Sequence, residues 1–579
     1  MSILSFCNQG KTGKRFLLFL IALIFTSVGV SANQDKKLVL ENSQKTTGRV
    51  DRSVRPVKNI ILLIPDGCSL AVLSTARWYQ WLLDQNRPSL FIDPFICGTV
   101  RTSSSDAPIG DSAPTTSCYM TGELSRTGHV ATYPESSKDA DIFTMDPDRA
   151  YQPLMTILEA SKVVKKKATG LVFTCEFPHA TPADCSSHDY NRGNSANISA
   201  QMVYNQLDFV AGGGVSFLSP DLKRFLTDKG YTVQINDVRS FRAFNGRKLW
   251  SLFGQKDMQY DMDRNPNEQP SLAEMTNKAI KTLSKNDNGF FLMVEGSKVD
   301  WAAHANDPTG MVTEFLAFDE ACKVALDYAR TNKNTAVIVV PDHGNSGISI
   351  GTSRMGGYDR LSANQIFSGL FNYKLSAAAL AQRVNAVPLM QGLDTIFKYT
   401  SLRLKPEEVA LLNQASDYKF SPIPAQARRT SLSLHYTLGK ILSQHTGIGF
   451  TTNGHTGEEV FLAVYHPNED ILNGVRFNFE VNDYMCSLFE MKDQLPALTN
   501  TYFAKHDQVF KGCQMSILDV PSKKVKQLTV KKGNNELVVT QNSSQAVVNG
   551  QTKQLSTVVV FVDKNQTFYL PADLAKLLN

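Results

Sequence analysis

The stretch NIILLIPDG, Asn59–Gly67, decides how this chain is read. Its run Ile60–Ile64 is continuously aliphatic, without the polar alternation of a half-exposed strand. It is therefore expected to be covered on both faces, as in a parallel sheet. The stretch then delivers Asp66. Phe290–Val294 and Ala336–Val340 repeat the pattern, leading to Glu295, Asp300 and His304 in FFLMVEGSKVDWAAH and to Asp342 and His343 in TAVIVVPDHG. TTNGHTGEE adds His455. Open α/β sheets place their sites beyond the carboxyl ends of such strands. Carboxylates and imidazoles in that number suit two or more divalent metals. The expectation is an α/β metalloenzyme.

With 579 residues there is room for one large domain and an extra module. A hydrophobic content of 42% and a charged content of 20% describe a folded globular chain. Residues 1–32 read as a signal peptide: a basic stretch, the apolar run Phe16–Val30, then Val30-Ser31-Ala32 before a cut at Asn33. The run is shorter than the roughly 20 residues of a spanning helix. The alternative is an uncleaved anchor. Removing Lys11, Lys14 and Arg15 lowers the net charge from +6 to +3, so nucleic acid is not an expected partner. The protein is expected to be periplasmic or secreted, with no membrane span after cleavage. Of its nine cysteines, Cys7 leaves with the signal, and no CxxC pair marks a thiolate zinc site. Export permits disulfides, with Cys175 and Cys185 nearest in sequence; buried free thiols are an equal alternative.

A linker, 33–56, precedes strand–helix alternation over 57–514. Within it, 344–450 reads as an insertion with helix-prone stretches and no ligand-like motif, either a cap over the site or a homodimer contact. From 515 to 579 the chain turns rich in Val and Thr, with the hairpin signal Asn549-Gly550, and reads as a small β-rich module.

IGDSAPTTSCYMTGELSRTG supplies the reacting group. Ser112, after Asp111, stands where a helix can begin, and backbone N–H groups at a helix start favour a phosphoryl group. Asp-Ser is also an ordinary helix cap. VFTCEFPHATPADCSSHDYNR then places His179 and Thr181 beyond the run Gly170–Thr174, with Arg192 further on. An Arg fork suits a tetrahedral phosphate.

Six motifs, IPDG, DSA, HATP with its downstream Arg, VEGSKVDWAAH, PDHG and GHTGE, stand in an order that resembles the alkaline phosphatase family over about Lys58–Pro467. That resemblance implies a three-layer sandwich around a mostly parallel central sheet and a phosphomonoesterase acting on small-molecule phosphate monoesters. It implies Ser112 as nucleophile and Arg192 as phosphate clamp oriented by Asp111. It also implies one zinc on Asp300, His304 and His455, a second on Asp66, Asp342 and His343, and magnesium on Asp66, Thr181 and Glu295. The residue types agree: Asp300 and His304 are i and i+4 on one helix face, and Thr181 and Glu295 are hard oxygen donors. His179, where some members have Asp, and Trp301, where others have Lys or His, both fall beside the third metal of the family.

Ser112-x-Pro114 begins a sulfatase-type signature, but Thr116 stands where that signature wants Arg. A sulfatase or phosphodiesterase of the same superfamily is the nearest alternative. A non-catalytic secreted binding protein is the alternative of a different class. The C-terminal module weakly resembles the stalk domain of copper amine oxidases.

Overall fold

The structure is a computed structural model that describes residues 54–136, 141–521 and 525–578. The signal peptide and almost all of the linker lie outside the described residues.

Ten strands form the central sheet: β1 (Asn59–Pro65), β2 (Ile96–Arg101), β3 (Ala168–Glu176), β4 (Phe209–Gly213), β5 (Thr232–Ile235), β6 (Leu249–Leu252), β7 (Phe290–Gly296), β8 (Thr335–Val339), β9 (Val460–Tyr465) and β10 (Gly474–Phe477). Their order is β10-β2-β9-β8-β1-β7-β3-β4-β6-β5. From β8 to β5 every neighbour is parallel. Only β9 runs against its neighbours β8 and β2. β1, β7 and β8 are buried at every position, as their unbroken apolar runs require. Ile61 and Leu63 enter a large core shared with α1 (Leu70–Leu83), α3 (Leu272–Leu283) and α5 (Pro308–Asn332). Ile60, Leu62 and Ile64, equally buried, point to the opposite face by strand alternation. On the chain lie also α2 (Ser112–Thr121), packed against α11 (Asn478–Leu488), and α4 (Lys298–His304). The three-layer α/β architecture read from the sequence is present.

The segment 344–450 carries five helices, α6 (Ala363–Asn372), α7 (Ala377–Val384), α8 (Leu389–Thr400), α9 (Pro406–Gln414) and α10 (Leu434–Gln444). Tyr373, Leu380, Val384, Ile396, Leu412 and Leu438 give it a core of its own.

At the C-terminus, β11 (Gln514–Val520), β12 (Val525–Lys532), β13 (Asn535–Thr540), β14 (Gln545–Val548) and β15 (Gln551–Gln554) form an antiparallel sheet in chain order. Asn549 and Gly550 make its last two-residue turn with φ of 48° and 80°, the left-handed pair that such hairpins need. β16 (Val560–Val562) and β17 (Thr567–Leu570) form a second small sheet with Ala504–Lys505. Phe510 joins the same hydrophobic cluster, so the packing of this module draws in chain from before position 515. All eight cysteines from Cys68 onward are free thiols. Among the described residues, no helix is long and apolar enough to cross a membrane.

Candidate active site

The candidate residues converge beyond the carboxyl ends of the three central strands. β1 delivers Asp66 just beyond its end, β7 carries Glu295 as its last residue but one, and the irregular turn after β8 carries Asp342 and His343. Gly67 follows Asp66 with φ +60°, and a Cβ there would stand 2.3 Å from Asp300 Oδ1, so the chain can turn into the site only through glycine. Its N–H donates to Asp342 Oδ1 at 3.0 Å.

Two groups of donors result. In the first, His304 Nε2 lies 3.1 Å from His455 Nε2 and 3.4 Å from Asp300 Oδ2. Asn345 fixes Asp300 by donating to Oδ1 at 2.6 Å. In the second, His343 Nε2 is 3.5 Å from Asp66 Oδ1 and 3.5 Å from Asp342 Oδ2. His304 Nδ1 faces the Asn453 carbonyl at 2.6 Å and His343 Nδ1 the Gly344 carbonyl at 3.0 Å. A carbonyl can only accept, so Nδ1 carries the proton and each Nε2 lone pair is turned into the site, as in metal-binding imidazoles.

Electrostatics points the same way. Burial first, then the charges of Asp342, Asp300 and Glu295, pushes Asp66 far above the carboxylate range. Glu295 is raised to about 8, chiefly by burial. His455 is lowered to about 4 by burial and by the neighbouring His343. In Asp300 burial works upward, but His304, His343 and His455 together bring it below its ordinary value. Asp66 Oδ2, Thr181 Oγ1, Glu295 Oε1 and Asp342 Oδ2 are buried without a hydrogen-bond partner. Crowded carboxylates with such free lone pairs are costly unless cations sit among them. The donor sets therefore fit divalent ions.

Ser112 begins α2. Its Oγ lies 3.4 Å from Asp66 Oδ1 and 3.3 Å from His343 Nε2, at the mouth of the second donor group. Asp111 is the N-cap residue, yet its side chain makes no cap bond. It instead accepts from Arg192 Nη1 at 2.9 Å. His179 Nε2 lies 3.2 Å from Arg192 Nη2. Arginine can only donate, so His179 accepts; burial and the guanidinium lower its pKa to about 3 and keep it neutral. Trp301 stands edge-on to His179 with ring centroids 6.0 Å apart.

Three contributors were not singled out from the sequence. Asn345 and Asn453 act through a side chain and a carbonyl, and their only signal is nearness to PDHG and GH. Cys175 has its Sγ 3.3 Å from Glu295 Oε2.

The alkaline phosphatase family model matches residues 57–231 and 228–491. Alkaline phosphatase 3 of Bacillus subtilis is 30% identical over 447 residues, covering 73% of this chain and 87% of its own length. Alkaline phosphatase of Escherichia coli is 29% identical over 407 residues, covering 56% of this chain and 82% of its own. A cold-active alkaline phosphatase from a psychrophilic Shewanella superposes with a TM-score of 0.63 at 26% identity, covering 74% of this chain and 99% of that one. The chain belongs to the alkaline phosphatase family.

Proposed function

We propose that this chain is an exported phosphomonoesterase that converts phosphate monoesters to alcohol and inorganic phosphate through a phosphoserine at Ser112. The observation that carries this reading is the position of Ser112 Oγ, within 3.4 Å of both Asp66 and His343 and one residue from the acid that holds Arg192. Asp300, His304 and His455 would hold one zinc, Asp66, Asp342 and His343 a second, and Asp66, Thr181 and Glu295 a magnesium. Such ions, when bound, supply Lewis acidity for oxygen anions.

Ser112 Oγ attacks phosphorus in line and gives up its proton, and the ester oxygen departs with the electron pair of the broken P–O bond. Arg192 holds the non-bridging oxygens in its fork, with Asp111 fixing its direction. Backbone N–H groups at the start of α2 add positive potential at the same place. Water then attacks the phosphoserine, inorganic phosphate leaves, and Ser112 Oγ recovers a proton. Both attacks need deprotonated oxygen, so activity is expected to rise on the alkaline side. The segment 57–514 is read as catalytic, with 344–450 as a cap and 515–579 as an appended module.

The test is turnover of p-nitrophenyl phosphate beside its sulfate analogue and bis(p-nitrophenyl) phosphate, with metal analysis of the same protein. Preference for the monoester with zinc bound supports the reading. Preference for the sulfate or the diester overturns it.

A further inference from the structure

A cleft of about 310 Å³ opens at the other end of the sheet from Ser112. The active-site residues stand beyond the carboxyl ends of strands, whereas this cleft is lined from the amino ends. Asp208, Tyr231 and Lys248 each come immediately before a strand, β4, β5 and β6, and Lys166 comes two residues before β3. Those four strands are neighbours and parallel, so their amino ends gather on one edge. The C-terminal module closes the opposite side with Ser544, Ser556 and Thr557. Lys229 Nζ ties the two walls together by donating to Gln554 Oε1 at 2.8 Å.

Three lysines line the cleft, Lys162, Lys166 and Lys248, against one carboxylate, Asp208. Each lysine donates to a main-chain carbonyl, of Asn205, Val163 and Lys229 respectively, and among the described residues none has a carboxylate in ion-pair contact. Burial lowers Lys162 to about 8. Tyr231 and Thr557 are 5% and 1% exposed, and both hydroxyls are buried without a hydrogen-bond partner. Ammonium groups drawn out of water beside hydroxyls without acceptors are matched by an anion that carries several oxygens.

From this arrangement we propose that the cleft is a binding site for inorganic phosphate, separate from the Ser112 centre and completed by the C-terminal module. Phosphate oxygens accept from the Lys162 and Lys248 ammonium groups and from the Tyr231 and Thr557 hydroxyls. Near neutral pH phosphate keeps a proton, and it donates that proton to Asp208, which Thr169 N–H holds through Oδ2 at 2.9 Å. Sulfate matches phosphate in shape but has no proton to give, so the same carboxylate repels it. The site lies outside the phosphatase reading and does not depend on it. Because its walls come from both parts of the chain, the bound anion also fastens the module to the catalytic domain.

Equilibrium dialysis of the metal-loaded, full-length protein against radiolabelled inorganic phosphate, with and without sulfate, tests this. The wild type is expected to hold two phosphates per chain. The double variant Lys162→Gln/Lys248→Gln should hold one and keep its kcat on p-nitrophenyl phosphate, while Arg192→Ala should keep the phosphate in the cleft. Tyr231→Phe, which removes a single oxygen, should weaken the cleft phosphate several-fold even where the double variant fails to fold. Sulfate should compete there about ten-fold more weakly than phosphate or worse, and Asp208→Asn should narrow that gap. A double variant or a Tyr231→Phe protein that binds both phosphates as the wild type does overturns the proposal. So does a wild type whose only phosphate is weakened by Arg192→Ala, or sulfate competing as well as phosphate. Failure of the phosphatase reading looks different: one phosphate per chain, lost in the lysine variant, unaffected by Arg192→Ala, with no p-nitrophenyl phosphate turnover.

Discussion

Asp111 accepts a 2.9 Å hydrogen bond from Arg192 across 81 positions of sequence, and the residue that follows Asp111 is the proposed nucleophile. In the proposed mechanism, attacking oxygen and phosphate fork are thereby tied to the same turn of backbone. Arg192→Ala is expected to weaken inhibition by inorganic phosphate about ten- to a hundred-fold, since charge-assisted bonds are worth about 1.5–3 kcal/mol. Asp111→Asn should give a smaller loss in the same direction. Phosphate inhibition constants for the three proteins provide the check, and an unchanged constant in Arg192→Ala removes the clamp role.

Ser112→Ala should lose most turnover while its ion content stays at the wild-type level. Ser112 Oγ stands beside Asp66 and His343, but the two carboxylates and the imidazole of that group do not depend on it. Single-turnover kinetics together with metal analysis decide the matter. Near-normal turnover contradicts the nucleophile, and loss of zinc makes Ser112 a structural ligand.

Stability should fall at acid pH through a buried pair outside the two donor groups. Glu159 is fully buried and accepts from His188 at 3.1 Å, Asn205 at 2.8 Å and the Thr156 backbone at 3.2 Å. Burial alone would raise it, but His188 and these hydrogen bonds outweigh burial and leave its pKa below the ordinary value. Its contribution is therefore complete above about pH 4.3 and lost as pH falls through the lower folded value. Glu159→Gln should flatten that part of the stability–pH curve and cost about 1–3 kcal/mol, because a neutral amide replaces a buried carboxylate that accepts from His188, Asn205 and Thr156. Thermal unfolding of both proteins from pH 3 to 8 measures it.

The C-terminal module touches the loop that carries Arg192. Asn542 accepts from Gln201 Nε2 at 3.1 Å and donates to Asn197 Oδ1 at 3.0 Å, and Gln201 in turn holds both backbone groups of His188. Lys564 Nζ lies 5.6 Å from the ring centroid of Tyr190, two residues from Arg192. Asn542→Ala should cost about 1–3 kcal/mol by leaving buried amides unpaired, and it should raise KM more than it lowers kcat. An unchanged KM would make the module a separate appendage as far as the reaction is concerned.

Much of this was legible in the sequence because the decisive strands are buried on both faces. Ile60–Ile64, Phe290–Val294 and Ala336–Val340 cannot be amphipathic, and each is followed within two residues by an acidic one. The helix over Lys298–His304 followed from Asp300 and His304 at i and i+4. What stayed hidden depends on approach in space. A lone thiol on β3 meets a carboxylate on β7 120 positions away, an approach that no spacing in the sequence records. Asp-Ser reads equally well as a cap, and only the folded structure shows that Asp111 leaves the helix start for Arg192. The tail looked separable because its alternation is its own, while Phe510 and Asn542 tie it to chain that precedes it.

The two donor groups differ in how firmly the fold grips them. Asp66, Asp342 and His343 are fully buried against central strands, whereas the side chains of His304 and His455 are 24% and 23% exposed on a short helix and a two-residue strand. Core strands open only with global unfolding, but segments of that second kind open by themselves at far lower free energy. Amide exchange should therefore be slow through β1 and β8 and fast around Asn453–His455. Under gentle denaturation the protein would pass through a form that keeps the ion beside Ser112 and has already released its neighbour.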